Sequence, residues 1–169
     1  VYEDTMTDAE QLEEIDRCMD GTREVFNRIE ARDDLPTQVI PIAKGWKHWH
    51  FERCQRTFED LGLSYCAFDV TQYNSINMVL EDVHRLIEVI GPDGVLLIGK
   101  LSPDHLRRCP PEVVAATGVD HWRKNSQTES GRFSRELYRF WAVRAYAAIS
   151  SAQTRLDHFG NQSNVRIHG

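Results

Sequence analysis

SYCAFDVTQYNSINMVLEDVHRLIEVIGPDGVLLIG, residues 64–99, decides the fold. It opens on an apolar run, Ser64-Tyr-Cys-Ala-Phe68, that ends in Asp69. It closes on a second run, Gly94-Val-Leu-Leu-Ile-Gly99, followed by Lys100. Between them Ile76, Val79, Leu80, Val83, Leu86, Ile87 and Ile90 recur with the three-and-four spacing of a helix buried along one side. Gly91-Pro-Asp-Gly94 is a turn. Two buried strands joined through a helix are expected to be parallel neighbours with a right-handed crossover.

The same unit repeats on both sides. Upstream, Gln38-Val-Ile-Pro-Ile-Ala43 reads as a strand ending at Lys44. A helix starting near Trp49 then buries Phe51, Cys54, Phe58 and Leu61 and stops at Gly62. Downstream, Ser102-Pro-Asp-His105 reads as a short helix start and Val113-Val-Ala-Ala-Thr117 as a fourth strand. An opening helix has a capping box, Thr7-Asp-Ala-Glu10, and an apolar stripe through Leu12, Ile15, Met19, Phe26 and Ile29. Gly21 is a candidate break in it. Residues 123–132 read as a polar loop, and a long helix is expected from Ser134 to Phe159. The fold class is therefore α/β: parallel βα repeats with a long C-terminal helix. Residues 1–160 are expected to form a single βα-repeat domain, a fragment of a longer chain, and 161–169 a disordered tail.

Composition narrows the function classes. The chain of 169 residues is 41% hydrophobic and 27% charged, a soluble globular profile. Its formal net charge of −6 gives no global basic field for nucleic acid, though local patches remain. The four cysteines, Cys18, Cys54, Cys66 and Cys109, have no zinc-like spacing and read as reduced thiols of a cytoplasmic protein. No membrane span, signal peptide or cofactor is expected.

In a parallel sheet functional groups gather just past the C-terminal strand ends. Those positions carry Lys44, Asp69, Lys100 and Asp120-His121. Asp69 can serve as a base or hold a ligand N–H, or simply cap a turn. Asp120-His-Trp-Arg123 combines an acid, an imidazole, a stacking ring and a guanidinium, the groups that hold unstacked bases. Arg123, Lys124, Arg132, Arg135 and Arg139 could meet phosphates, with Glu129 and Glu136 beside them. His48 and His50 form a His-x-His, as some metal-dependent barrel hydrolases do, but only an extended segment points both rings the same way. No third ligand is selected, so no metal is expected. Nothing in the chain is a glycine-rich phosphate loop, GxSxG or HExxH.

The order of these pieces resembles the second half of the tRNA-guanine transglycosylase superfamily, over roughly residues 36 to 123. Val39-Ile-Pro-Ile-Ala-Lys-Gly45 is similar to that family's fifth-strand segment. Val95-Leu-Leu-Ile-Gly-Lys-Leu-Ser-Pro103 is similar to its seventh and Thr117-Gly-Val-Asp-His-Trp122 to its eighth. The resemblance implies that the chain is a half or partial (β/α)8 barrel, a fragment of a larger barrel that exchanges a purine for a 7-deazaguanine in DNA or tRNA. It puts Lys44 where the family reads the base with glutamine, and Asp69-Val70 where it has a pair of glycines. Arg123 takes the place of the nucleophilic aspartate, and Asp120 matches the earlier aspartate of that motif. The family's zinc-binding cysteines are missing, and its other essential aspartate belongs to the first half of the barrel. The resemblance implies Asp120 and Asp69 as catalytic groups, and Lys44, Tyr73, Lys100, Trp122 and Arg123 as substrate-binding groups. The expected partners are nucleic acid, DNA or tRNA, and either a second copy or another chain supplying the rest of the barrel. Two other classes stay open: a non-catalytic barrel fragment or binding module, and a metal-dependent barrel hydrolase.

Overall fold

The computed structural model describes residues 6–32, 34, 36–99 and 102–163. The side chains of Val119, Asp120 and residues 151–163 lie outside that description. The chain runs α1 (Asp8–Glu30), β1 (Ile42–Ala43), α2 (His48–Asp60), β2 (Tyr65–Asp69), α3 (Ile76–Ile90) and β3 (Gly94–Ile98). It continues through α4 (Pro103–Leu106), β4 (Val113–Thr117), α5 (Val119–Asn125) and α6 (Arg135–Ser163). The four strands form one parallel sheet in chain order. Ala67 pairs with Ile42 on one side and Leu96 on the other. A one-residue irregularity at Val114 shifts the register between β3 and β4.

Alternation along the strands sorts two faces. Cys66, Phe68, Val95, Leu97 and Val113 join one core with Ile15 and Met19 of α1, Phe51 and Phe58 of α2, and Val83 and Leu86 of α3. Helices α1, α2 and α3 therefore share a single side of the sheet. The opposite face carries Ile42, Tyr65, Ala67, Leu96 and Ile98, of which Ile42 and Tyr65 are exposed. Apolar residues on both faces mark strands built to be covered twice.

Local signals account for the element ends. Thr7 and Glu10 close the capping box of α1 reciprocally. Gly91, at φ 60, ends α3 in the left-handed conformation that glycine adopts freely. At the exits of β3 and β4 the backbones nearly touch: a Cβ on Gly118 would lie 1.5 Å from the Gly99 carbonyl oxygen.

Several expectations need correction. The first strand is two residues long, not six. Its partner β2 begins at Tyr65, so residues 38–40 have little strand to pair with, and Pro41 has no N–H to give. Pro41 still accepts from Ala67 N–H at 2.7 Å. Gly21 does not break α1, because a helix of 23 residues absorbs the cost of about 1 kcal/mol. Residues 119–125, partly assigned to a loop, are helical. Contacts between α5 and α6 decide this, and local propensity does not show them. Residues 161–163, expected in the tail, belong to α6, and residues 164–169 lie outside the described residues. No helix among the described residues is long and apolar enough to cross a membrane.

Candidate functional site

The register that pairs Ala43 with Phe68 sets Lys44 across from Asp69, at the C-terminal ends of adjacent strands. A cleft of about 440 Å³ opens there, within the size range of small-molecule sites. Lys44, Gly45 and Trp46 form one wall, Asp69, Gln72 and Tyr73 the other. Phe68, Met78 and Asp82 also line it.

The first wall is fixed by a buried histidine. His50 Nδ1 accepts the backbone N–H groups of Trp46 and Lys47, at 3.1 and 3.3 Å. Its Nε2 therefore carries the proton and donates to Gln11 Oε1 at 3.1 Å. Burial pushes the imidazole down to about 4, and the nearby Lys47 ammonium adds to this. The turn wraps so closely that Gly45, at φ 99, would carry its Cβ 2.2 Å from His50 Nδ1. Only glycine fits there. Cys54 holds the strand end from below, its thiol accepting from Lys44 N–H at 3.4 Å and raised to about 12 by burial.

The second wall is fixed by an acid. Tyr73 donates its hydroxyl to Asp82 Oδ2 at 2.7 Å. Burial and that carboxylate hold the phenol well above its ordinary pKa, so it stays neutral. Arg85 pairs with Asp82 and also donates to the Trp46 carbonyl. One guanidinium thus joins α3 to the β1–α2 turn and sets the width of the cleft. Asp69 Oδ1 accepts from Thr71 N–H at 2.9 Å, an Asx turn. Among the described residues Oδ2 has no hydrogen-bond donor, and the Lys44 ammonium has no carboxylate within ion-pair distance. The cleft is therefore lined by a lysine and a carboxylate from adjacent strand ends, among aromatic and amide side chains.

Of the residues singled out in the sequence, Lys44, Asp69 and Tyr73 line this cleft. Lys100 lies outside the described residues. Asp120 is in the first turn of α5, just past β4 and at the same end of the sheet. Trp122 is elsewhere: its ring meets Phe133 and Tyr138 edge-on, with centroids 6.4 and 6.0 Å apart. His121 Nδ1 accepts the Trp141 indole N–H at 2.9 Å. His121 and Trp122 thus fasten α5 to α6, while Arg123 faces solvent. The His-x-His pair does not converge. Its segment is helical, His50 is committed to Gln11 and the turn, and His48 lies exposed beside Glu52. No cluster of three metal-ligating side chains occurs among the described residues.

Sequence reasoning passed over Asp82 and Arg85. The i, i+3 spacing of Asp82 and Arg85 on α3 signals an ion pair. Nothing local signals that Asp82 is buried against a tyrosine from the loop before it. Comparison with known proteins finds no matching family model, no matching curated protein and no matching solved structure.

Proposed function

We propose that this chain is the second half of a base-exchanging (β/α)8 barrel acting on a purine in nucleic acid, and that the Lys44–Asp69 cleft takes the base. One observation carries the reading: an in-order parallel sheet, helices on one face, with Lys44 and Asp69 lining one cleft at the C-terminal ends of β1 and β2. The apolar opposite face fits a sheet that continues into further strands and closes.

Chemistry follows from the groups present. The Lys44 ammonium donates to a ring carbonyl or ring nitrogen, and Asp69 accepts from ring N–H or exocyclic amine. Tyr73, neutral and held by Asp82, offers a ring face. Strands lie about 4.8 Å apart, so β4 stands about 10 Å from β2. That distance suits a nucleoside laid across the strand ends, with its base at Asp69 and its sugar near α5. Asp120 is then the carboxylate for the sugar. It attacks C1′, the C1′–N9 bond breaks, and the leaving purine takes the bond's electron pair and a proton. An incoming 7-deazaguanine loses its N9 proton, attacks C1′ and displaces the carboxylate. The exchange consumes no oxidant and no triphosphate. The second reading is a module that binds a base without exchanging it, favoured by Arg123 facing solvent where the resemblance places a nucleophile.

The deciding experiment is incorporation of labelled guanine or 7-deazaguanine into DNA and tRNA by the full protein and by Asp120→Asn and Asp69→Asn. Loss in both variants, with folding intact, supports exchange. Base binding that depends on Asp69, without exchange by wild type, moves the conclusion to the binding module. No base binding at all removes the cleft from the account.

A further inference from the structure

Every ion pair among the described residues lies between Asp8 and Arg107. Beyond Arg107 the charge pattern changes. Residues 121–150 carry six basic side chains, Arg123, Lys124, Arg132, Arg135, Arg139 and Arg144, against two acidic ones, Glu129 and Glu136. All six are exposed, in a chain whose net charge is −6. Beside them three rings stand open to solvent: Phe133 at 59%, Phe140 at 65% and Tyr146 at 75%. The Arg144 guanidinium lies over the Phe140 ring, 5.8 Å from its centroid. Buried Ala148, with half-buried Ala145 and Ile149, faces the core from the other side of α6. The exposed rings are therefore not left over from packing the helix.

We propose that the solvent side of α5, the 126–134 turn segment and α6 up to Tyr146 binds single-stranded nucleic acid. The cations take phosphates, and Phe140 and Tyr146 stack on bases. This deepens the base-exchange reading by naming the surface that holds the strand, but different residues carry it. A second copy of the chain is the competing occupant. Pairing α6 with itself about a two-fold axis would cover Phe140, Val143 and Tyr146. It would also bring Arg135, Arg139 and Arg144 against their own copies, three cations on each side with Glu136 the one acid among them. An anionic partner meets the charge and the rings together.

The test is fluorescence anisotropy of a labelled mixed-sequence DNA oligonucleotide with the full protein. Binding is expected to weaken roughly fiftyfold between ~50 and ~200 mM salt if about four phosphates are held. The double variant Arg135→Gln/Arg139→Gln should lower the slope of log affinity on log salt by about 1.4. Phe140→Ala should weaken binding about fivefold or more. Circular dichroism checks that each variant keeps its helices. Three results overturn the proposal: no binding by folded wild type, variants that bind like wild type, or equal affinity for a duplex of the same sequence. Sedimentation adds a fourth: substitutions that dissociate a dimer and leave oligonucleotide binding unchanged would assign the surface to self-association. Asp69→Asn separates the two readings, because it should abolish binding of a free base and leave oligonucleotide affinity within twofold.

Discussion

The β1–α3 region and the α5–α6 region treat their polar and aromatic side chains in opposite ways. In the first, the phenylalanine rings are inside: Phe51, Phe58 and Phe68 are at most 2% exposed, though Tyr65 is open at 50%. Outside the cleft's Lys44, several cations there are tied to acids, as in Lys47–Asp8, Arg53–Asp16 and Arg85–Asp82. In the second, rings stand in solvent and the cations have no acid partner among the described residues. The contrast separates two uses of the same residue types. The first region uses them to hold a cleft in shape. The second leaves them available to something outside the chain.

Paired truncations test this most sharply. Phe51→Ala should cost about 3–5 kcal/mol in urea unfolding, because a buried ring leaves a cavity. Phe140→Ala should stay within about 0.5 kcal/mol, since its ring is largely solvated. Similar costs for the two would erase the distinction.

A pH series gives the next largest effect. His50 has a folded-state pKa of about 4, below its ordinary 6.5, so the unfolded chain binds the proton more readily. Its contribution is fully present above pH 6.5 and is lost as pH falls from there toward 4. Between pH 7 and 5 the loss should be about 2 kcal/mol. Urea midpoints of wild type and His50→Gln at the two pH values check it. An equal pH slope in both would remove His50 as the cause. This dependence belongs to the first region alone, so proton uptake there should leave the exposed rings of α6 unchanged.

Tyr73→Phe should cost about 1 kcal/mol, one hydrogen bond, with Arg85 still pairing the Asp82 left behind. Its effect on base affinity, read by calorimetry, reports how far the Tyr73–Asp82–Arg85 chain shapes the cleft. Smallest of all, Arg135→Gln/Arg139→Gln should leave stability within about 0.5 kcal/mol, by thermal unfolding. A larger loss would mean that these cations have a structural partner.

The contrast also explains what the sequence could and could not show. The βα alternation was legible because Val79, Val83 and Leu86 repeat at helical spacing between two apolar runs. Lys44 and Asp69 were legible as strand-end residues for the same reason. Setting Lys44 across from Asp69 needed only the expectation of adjacent strands. The shape of the cleft was not legible. It depends on Gln11, from a helix 39 residues away, holding His50, and on Arg85 reaching Trp46 across another 39. Trp122 was read as a free stacking face because nothing local says that Phe133 and Tyr138 will cover its edges. The shortness of the first strand was hidden too, since strand ends are set by the partner's length as much as by their own residues.

A sheet whose spatial order equals its chain order also has a kinetic consequence. Each strand pairs with the strand next to it in sequence, so every loop closed during assembly is short. The unit β2–α3–β3 has the longest continuous pairing and the most apolar helix, and it can form without waiting for a distant segment. The sheet is then expected to grow outward from that unit, β4 joining on one side and the two-residue β1 last on the other. Binding competence would arrive at the end of folding, because Lys44 rides on the final strand. In refolding kinetics, Val83→Ala should slow the forward rate and Ala43→Gly should mainly speed unfolding. The reverse pattern would place the nucleus at the sheet's edge.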